Sequence, residues 1–170
     1  MALILKVREN TPKIGKDCFL APNCTLVGEV TLGDHSSVWF NTVVRADVHF
    51  IKIGHHCNIQ DNATIHCSYQ KAPTTIGNYV SVGHNAVIHG CTLEDNVLIG
   101  MGAIVMDNAV VESGAIVAAG AVVLENTRVE AGWIYAGTPA KKVKFTGDKS
   151  EMIERIASNY SKYASWYEEI

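Results

Sequence analysis

The stretch LEDNVLIGMGAIVMDNAVVESGAIVAAGAVVLENTRV, residues 93–129, carries an aliphatic residue at every sixth position without interruption. The same spacing extends back to residue 14 in three shorter series. The members of the four series are Ile14, Leu20, Leu26, Leu32, Val38 and Val44; Ile53, Ile59 and Ile65; Ile76, Val82 and Ile88; and Leu93, Ile99, Val105, Val111, Val117, Val123 and Val129. A fixed short period of this kind indicates a repeat architecture from about residue 14 to 130.

A turn signal follows most of these aliphatic positions. Three residues later the sequence has Asp, Asn or Gly, which tolerate a positive φ angle; Asp17, Asn62 and Asn108 are examples. Each hexad is therefore interpreted as a short strand and a tight turn. A chain that turns every six residues coils into stacked parallel strands about 4.8 Å apart. The prediction is an all-β fold, a hexapeptide-repeat parallel β-helix over residues 1–145.

The pattern resembles that of the hexapeptide-repeat proteins, which implies a left-handed prism with three faces and about eighteen residues per coil. With three faces, Val44, Ile65 and Ile88 occupy the third face of successive coils. The period breaks only after these residues: three extra residues follow Val44, five follow Ile65, and one is missing after Ile88. Irregularities in a solenoid usually lie in functional loops on one face. The residues beside the breaks are therefore the candidates for chemistry.

The end of the chain has a different pattern. The segment AGTPAKKVK, residues 136–144, resembles the exit segment that ends many hexapeptide-repeat coils. Within residues 146–170, apolar residues recur at spacings of three and four, which predicts a C-terminal α-helix that packs along the prism. Asp148 and Glu151 resemble a capping box at the start of this helix. Residues 146–170 are therefore predicted to form a second, helical unit.

Composition and charge exclude several classes of function. The formal net charge of the 170-residue chain is -3 and its Lys and Arg residues are scattered, which argues against nucleic-acid binding. The chain has no signal-peptide pattern and no apolar run of about eighteen residues, so we expect a cytoplasmic protein without a membrane segment. The five cysteines form no CxxC pair and are interpreted as reduced thiols, and Cys18, Cys24 and Cys57 fit a corner-packing position rather than a metal site.

A polar side chain follows each third-face residue directly before a break: Arg45, His66 and His89. In the three-faced arrangement these side chains form one column, in which His66 and His89 are one coil, or about 4.8 Å, apart. That spacing suits two imidazoles that bind one metal ion through bonds of about 2.0 to 2.1 Å. We therefore predict that His66 and His89 bind the same metal.

His84 lies on the preceding face and is separated from His89 by five residues, which span roughly 16 Å when extended. This distance is too long for both side chains to share a metal within one chain, so we expect His84 to serve a neighbouring subunit. Asp61 falls in the same column as His84, one coil earlier, and is predicted to form an intersubunit ion pair with Arg45. A homotrimer with a metal site at each interface satisfies these positions.

Four motifs together resemble the γ-class carbonic anhydrases: RAD (45–47), NIQD (58–61), TIH (64–66) and TTIGNYVSVGHNAVIHGC (74–91). The resemblance covers nearly the whole chain. It implies a trimer whose zinc, iron(II) or cobalt ion is held by His66 and His89 of one chain and His84 of the next. It also implies that a metal-bound hydroxide hydrates carbon dioxide to bicarbonate at the trimer interface.

The same resemblance points to three further catalytic candidates. Gln60 would hydrogen-bond and orient the metal-bound hydroxide or bicarbonate, unless it is an exposed strand residue. Asp47 is the second candidate. It occupies a corner position where Asp is common for conformational reasons, so two interpretations stay open, a catalytic residue and a turn residue. Tyr160 on the C-terminal helix could reach over the site or pack against the prism.

Two departures from the best-characterised branch of the family indicate slow or latent activity. Val48 stands where that branch has a glutamate, and the loop CSYQKAPTT, residues 67–75, carries no acid that could transfer protons. Buffer, His49, His55 and His56 remain as proton acceptors. Two alternatives stay open: a CoA-dependent acyltransferase of the hexapeptide-repeat class with a histidine as general base, and a non-catalytic, metal-stabilised trimeric scaffold.

Overall fold

The computed structural model describes residues 1–167. Those residues form a parallel β-solenoid of about seven turns followed by one α-helix. In chain order the strands are β1 (Leu3–Leu5), β2 (Lys13–Ile14), β3 (Phe19–Leu20), β4 (Thr25–Leu32), β5 (Ser37–Val38), β6 (Val43–Ile53), β7 (Asn58–Ile59), β8 (Thr64–His66), β9 (Thr74–Ile76), β10 (Ser81–Val82), β11 (Val87–His89), β12 (Thr92–Leu93), β13 (Leu98–Ile99), β14 (Ile104–Val105), β15 (Val110–Val111), β16 (Ile116–Val117), β17 (Val122–Val123), β18 (Arg128–Val129), β19 (Trp133–Ala136) and β20 (Lys141–Phe145). The predicted hexapeptide-repeat β-helix is confirmed.

Successive strands of one coil lie on three different faces. The first face is the ladder β2-β4-β6-β9-β12-β15-β18, the second is β3-β5-β7-β10-β13-β16-β19, and the third is β1-β4-β6-β8-β11-β14-β17. Strands β4 and β6 are long enough to pass through a corner, so each belongs to both the third and the first face. All three ladders are parallel, and the chain therefore climbs one coil for every three strands.

The core is the column of aliphatic side chains at every sixth position. Ile65, Ile88 and Ile99 have no exposed surface, and the other inward positions from residue 26 onward are buried as well. The corners carry the predicted turn residues: the φ angles of Asn62 and Asn108 are 60° and 57°. The five cysteines are free, and four of them are buried. The interior thus consists of uniform layers of apolar side chains, and polar chemistry is confined to the corners and outer surfaces.

The exit segment and the tail complete the described chain. Strand β20 turns back to pair antiparallel with β19. Helix α1 (Ser150–Ala164) packs on strands β5 and β10 of the second face and buries its own Ile153 and Ala157. It is followed by a 3-10 turn at Ser165–Tyr167. No helix within residues 1–167 is long and apolar enough to cross a bilayer.

The predicted capping box is wrong. Lys149 is the N-cap residue and makes no side-chain cap, while the Asp148 carboxylate accepts a hydrogen bond from the Ser150 backbone N–H at 2.8 Å. The helix therefore begins one residue later than the capping pattern requires, and the Asp148 carboxylate bonds to the N–H group of its first residue. The division of the chain at residues 145 and 146 stays a prediction, and its last part, 168–170, lies outside the described residues.

Candidate metal centre

Two histidines meet at the end of the third face. His66 ends β8 and His89 ends β11, and the two residues are direct partners in the parallel ladder. Their ring centroids are 5.0 Å apart, and Nδ1 of His66 lies 3.0 Å from Nε2 of His89. The register counted from the sequence therefore places two imidazole nitrogens close enough to bind the same metal ion.

His84 lies at the opposite edge of the same face. It occupies the corner before β11, and its Nδ1 atom is 2.9 Å from Oδ2 of Asp61, which lies in the same column one coil earlier. Strand β11 separates His84 from His89, so the three histidines do not converge in one chain. Within residues 1–167 no three His, Cys, Asp or Glu side chains are grouped so that they could hold a metal ion.

The facing pair of histidines fits two positions of a metal site. Two nitrogen ligands on one tetrahedral zinc ion, with bonds of about 2.0 to 2.1 Å, are about 3.3 Å apart. The 3.0 Å between the nitrogens of His66 and His89 is close to this value. Imidazole also suits zinc and iron better than magnesium or calcium. The donor set therefore fits a transition metal, and it requires a third ligand from elsewhere.

Asp47 holds His66 in place. Its Oδ1 atom lies 3.1 Å from Nε2 of His66, and its Oδ2 atom accepts a hydrogen bond from Nη1 of Arg45 at 2.5 Å. Burial raises the pKa of the Asp47 carboxyl, but the hydrogen bonds from Arg45 and His66 outweigh burial and hold the pKa below its ordinary value. Asp47 is therefore a carboxylate at neutral pH.

His66 is kept in the form that binds metals. Burial lowers the pKa of its imidazole, Asp47 raises it, and the positive charge of Arg45 lowers it, with a net decrease. The neutral ring is favoured, and a neutral imidazole is the form that coordinates a metal.

Arg45 and Asp61 have different partners within the chain. Arg45 pairs with Asp47, whereas Asp61 pairs with His84. The predicted intersubunit ion pair between Arg45 and Asp61 stays a prediction. Asp61 meanwhile contacts Nδ1 of His84, and Nε2 of His84 has no hydrogen-bond partner among residues 1–167.

Gln60 is buried, with 6% of its surface exposed, so the interpretation as an exposed strand residue is wrong. Its Oε1 atom accepts a hydrogen bond from the backbone N–H of His84 at 3.2 Å, and its Nε2 atom donates to Asn58 at 2.9 Å. The carboxamide therefore fastens the corner that carries His84 to the preceding coil.

Tyr160 reaches this region from helix α1. Its ring packs edge-on against Trp39 with centroids 5.4 Å apart. Together with Gln60 and His84, it lines a cavity of about 390 Å³ whose other walls are mainly apolar. Burial and then the nearby charge of Asp61 raise the pKa of its hydroxyl. Tyr160 thus both packs against the prism and borders the candidate site.

The sequence interpretation missed Asp107. Its Oδ1 atom lies 2.5 Å from Nδ1 of His89, and its Oδ2 atom accepts a hydrogen bond from the Ser68 hydroxyl at 2.5 Å. The register gave only an indirect signal: Val105 pairs with Ile88, so Met106 follows beside His89 and Asp107 lies one residue further on. Asp107 also lies two residues after the aliphatic position, one earlier than the corner pattern requires.

Comparisons with known proteins identify the family. The family model described as bacterial transferase hexapeptide (six repeats) matches residues 11–46 and 90–125. A carbonic anhydrase of Geobacillus kaustophilus is 44% identical over 166 residues, which cover 97% of this chain and 91% of that protein. The mitochondrial gamma carbonic anhydrase 2 of Arabidopsis thaliana is 43% identical over 167 residues. The chain belongs to the γ-class carbonic anhydrase family.

Members of this family differ in length. The match covers 95% of this chain but 60% of the Arabidopsis protein, so the chain spans about three fifths of that relative. Among solved structures, a hexapeptide transferase family protein from Anaplasma phagocytophilum superposes with a TM-score of 0.91 at 35% identity and covers 97% of this chain and 98% of its own. The fold of that hexapeptide transferase family protein thus extends over nearly all of this chain.

Proposed function

We propose that this γ-class protein is a metal-dependent carbonic anhydrase that hydrates carbon dioxide to bicarbonate. The observation that carries the proposal is the 3.0 Å approach of His66 and His89 in a chain whose relatives are named carbonic anhydrases. His84 of an adjacent subunit would supply the third imidazole, because it lies on the opposite edge of the same face. The proposed assembly is accordingly a homotrimer with one site at each interface.

We propose zinc as the resident metal, with iron(II) and cobalt as alternatives that imidazole ligands also accept. His66, His89 and the neighbouring His84 would hold it. A bound metal of this kind supplies Lewis acidity, which brings the pKa of a coordinated water toward about 7.

The chain's own residues prepare the site for this chemistry. Asp47 and Arg45 hold the His66 ring, and Gln60 fastens the backbone of His84. We propose that Gln60, Asp47 and Tyr160 are catalytic in that they orient water or bicarbonate at the interface. The largely apolar cavity beside Gln60 and Tyr160 suits the approach of carbon dioxide, which is small and apolar.

Hydration of carbon dioxide releases one proton for each bicarbonate formed. His55 and His56 lie in the corner before β7, where His56 stacks on Tyr79 at 4.8 Å. Within residues 1–167 neither of them bonds to His66, His84 or His89. We propose that buffer is the main proton acceptor, which would make turnover slow at low buffer concentration.

The central experiment combines metal analysis with rate measurement. Protein purified without chelator should contain about one metal ion per subunit, and stopped-flow assays with zinc, cobalt and anaerobic iron(II) should exceed the uncatalysed rate of hydration. If the zinc, cobalt and iron(II) trimers are intact and all hydrate carbon dioxide no faster than the uncatalysed reaction, the protein is instead a non-catalytic scaffold. If these trimers transfer an acyl group from acyl-CoA to a hydroxyl or amine acceptor, the protein is an acyltransferase.

Mixed trimers test whether the site is shared between subunits. His66→Ala and His84→Ala chains should each lose metal, and mixing them should restore some sites, because a His84→Ala chain retains His66 and His89. A mixture of His66→Ala and His89→Ala chains is the matched control, since no interface in it has all three ligands. Equal metal content in the two verified mixtures would contradict a shared site.

The compartment of the protein also belongs to the proposal. We propose a cytoplasmic protein, on the basis of the sequence pattern and the bacterial carbonic anhydrase relative. The plant relative is named mitochondrial, so fractionation of the native host is the deciding measurement.

A further inference from the structure

Asp107 connects His89 to the loop that interrupts the repeat. One carboxylate oxygen contacts Nδ1 of His89, and the other accepts the hydroxyl hydrogen of Ser68, both at 2.5 Å. Its side chain is 20% exposed. Burial raises the pKa of this carboxyl, but the hydrogen bonds from Ser68 and His89 outweigh burial and hold the pKa below its ordinary value. A partly buried carboxylate thus joins two segments of the chain.

Two of the breaks in the six-residue period make room for this contact. Gly90 follows His89 with a φ of 57°, and a Cβ atom there would lie 2.3 Å from Oδ1 of Asp107. Ser68 stands at the start of the loop between β8 and β9, whose ends are joined by a backbone hydrogen bond from Ser68 to Ala72 at 2.9 Å. The extra residues after β8 and the shortened segment after β11 therefore meet at Asp107.

The contact between Asp107 and His89 decides which ring nitrogen of His89 can bind a metal ion. A carboxylate that accepts from Nδ1 keeps the hydrogen on that atom, and the lone pair then resides on Nε2. Nε2 is the atom that faces His66. His84 has the same arrangement, because Asp61 contacts its Nδ1 atom at 2.9 Å. All three histidines thus have a carboxylate behind the ring, which contacts Nδ1 in His84 and His89 but Nε2 in His66.

We propose that Asp107, held by Ser68, is a positioning residue that fixes His89 in the Nδ1–H form and turns Nε2 toward the subunit interface. The inference rests on the proposed function for its consequence, which is tighter metal binding. The hydrogen bond joins two side chains of this chain, so it can be tested in protein from which metal has been removed.

The metal test uses two substitutions and one control. Asp107→Asn keeps the shape but has a weaker, neutral acceptor, and it should lower zinc affinity by about 10- to 100-fold. Ser68→Ala should lower affinity less, because it frees the carboxylate without removing it. Glu125→Gln is the matched control, since Glu125 lies one coil further on and lines a second cavity together with His89 and Asp107. Chelator competition on verified trimers measures all three, and the control should equal the unaltered protein.

The metal-free test measures the ring itself. Nitrogen NMR of metal-free protein should find His89 in the Nδ1–H form, and Asp107→Ala should shift it toward the Nε2–H form. Should that variant fail to fold, Ser68→Ala should produce a partial shift in the same direction. An Nε2–H ring in the unaltered protein would overturn the inference, as would an Asp107→Asn zinc affinity equal to that of Glu125→Gln.

The two proposals fail in different ways. Unaltered trimers that bind no metal would overturn the proposed function, whereas the ring nitrogens of His89 would still decide the role of Asp107. Conversely, unaltered trimers that bind metal and hydrate carbon dioxide, with His89 unaffected by Asp107→Ala, would retain the enzyme and remove the positioning role.

Discussion

The regular half of the solenoid, residues 92–129, and the interrupted half, residues 44–91, share one interior but differ at their surfaces. In the regular half a strand follows every six residues from β12 to β18. In the interrupted half, Ile65 and Ile88 are as fully buried as Ile99 is in the regular half. The breaks therefore leave the core intact and displace chain outward, where polar side chains can gather without loss of apolar packing.

The comparison with the repeat family separates the same two regions. The hexapeptide model matches residues 11–46 and 90–125 and leaves out 47–89, which contain His66, His84 and His89 in addition to the Ser68 loop. The repeat thus describes the scaffold that this chain shares with transferases. The three candidate ligand histidines lie where the chain departs from that scaffold, whereas Asp107 lies within the matched repeats.

The largest expected effect comes from the shared interior. Ile99→Ala in the regular half and Ile65→Ala in the interrupted half should each lower the free energy of unfolding by about 2 to 5 kcal/mol, because each leaves a cavity in a close-packed layer. Ile65→Ala should in addition weaken metal retention, because Ile65 anchors the strand that ends in His66. Urea unfolding at equal protein concentration and metal analysis of folded trimers measure the two effects. If Ile99→Ala and Ile65→Ala retain metal equally, the interrupted half does not support the metal site more than the regular half does.

A smaller effect is expected at two glycines with positive φ. Gly114→Ala in the regular half should cost about 1 to 2 kcal/mol from backbone strain alone, because the space around its Cβ position is open. Gly90→Ala in the interrupted half adds a collision with Asp107 to the same strain. We expect only Gly90→Ala to weaken metal binding, as measured by chelator competition beside thermal unfolding. Identical behaviour of the two variants would mean that the contact at Asp107 has no function.

The smallest effect is expected at a surface carboxylate of the regular half. The backbone N–H of Ala131 and then the side chain of Arg128 hold the pKa of Glu112 below its ordinary value. Ionised Glu112 therefore stabilises the folded state. This contribution is complete above the ordinary glutamate pKa and is lost as the pH falls through the lowered pKa of the folded state.

Glu112→Gln should accordingly destabilise the protein by less than about 1 kcal/mol at neutral pH, because Arg128 is mostly exposed. The difference in melting temperature between the variant and the unaltered protein should shrink at acid pH, while metal retention stays unchanged. A difference that grows on acidification would contradict the direction of the pKa shift.

Local patterns predicted the solenoid well because its rules are local. An aliphatic residue every sixth position and a residue such as Asn62 at each corner depend only on strand length and on tolerance of positive φ. The register of His66 with His89 follows from counting residues per coil, so it too was available before the structure. The capping box was wrong because Lys149, not Asp148, is the N-cap residue of α1, and the pattern of Asp148 and Glu151 does not distinguish these two starts.

The sequence by itself determined the repeat, its breaks and the column in which the histidines stand, since each of these is a matter of spacing along the chain. Only the tertiary structure decided which side chains hold the histidine rings in position. Asp107 reaches His89 across one coil, and the path of the 67–75 loop brings Ser68 to the same carboxylate. Such contacts depend on rotamers and on the course of irregular backbone between distant positions, and no period in the sequence specifies either one.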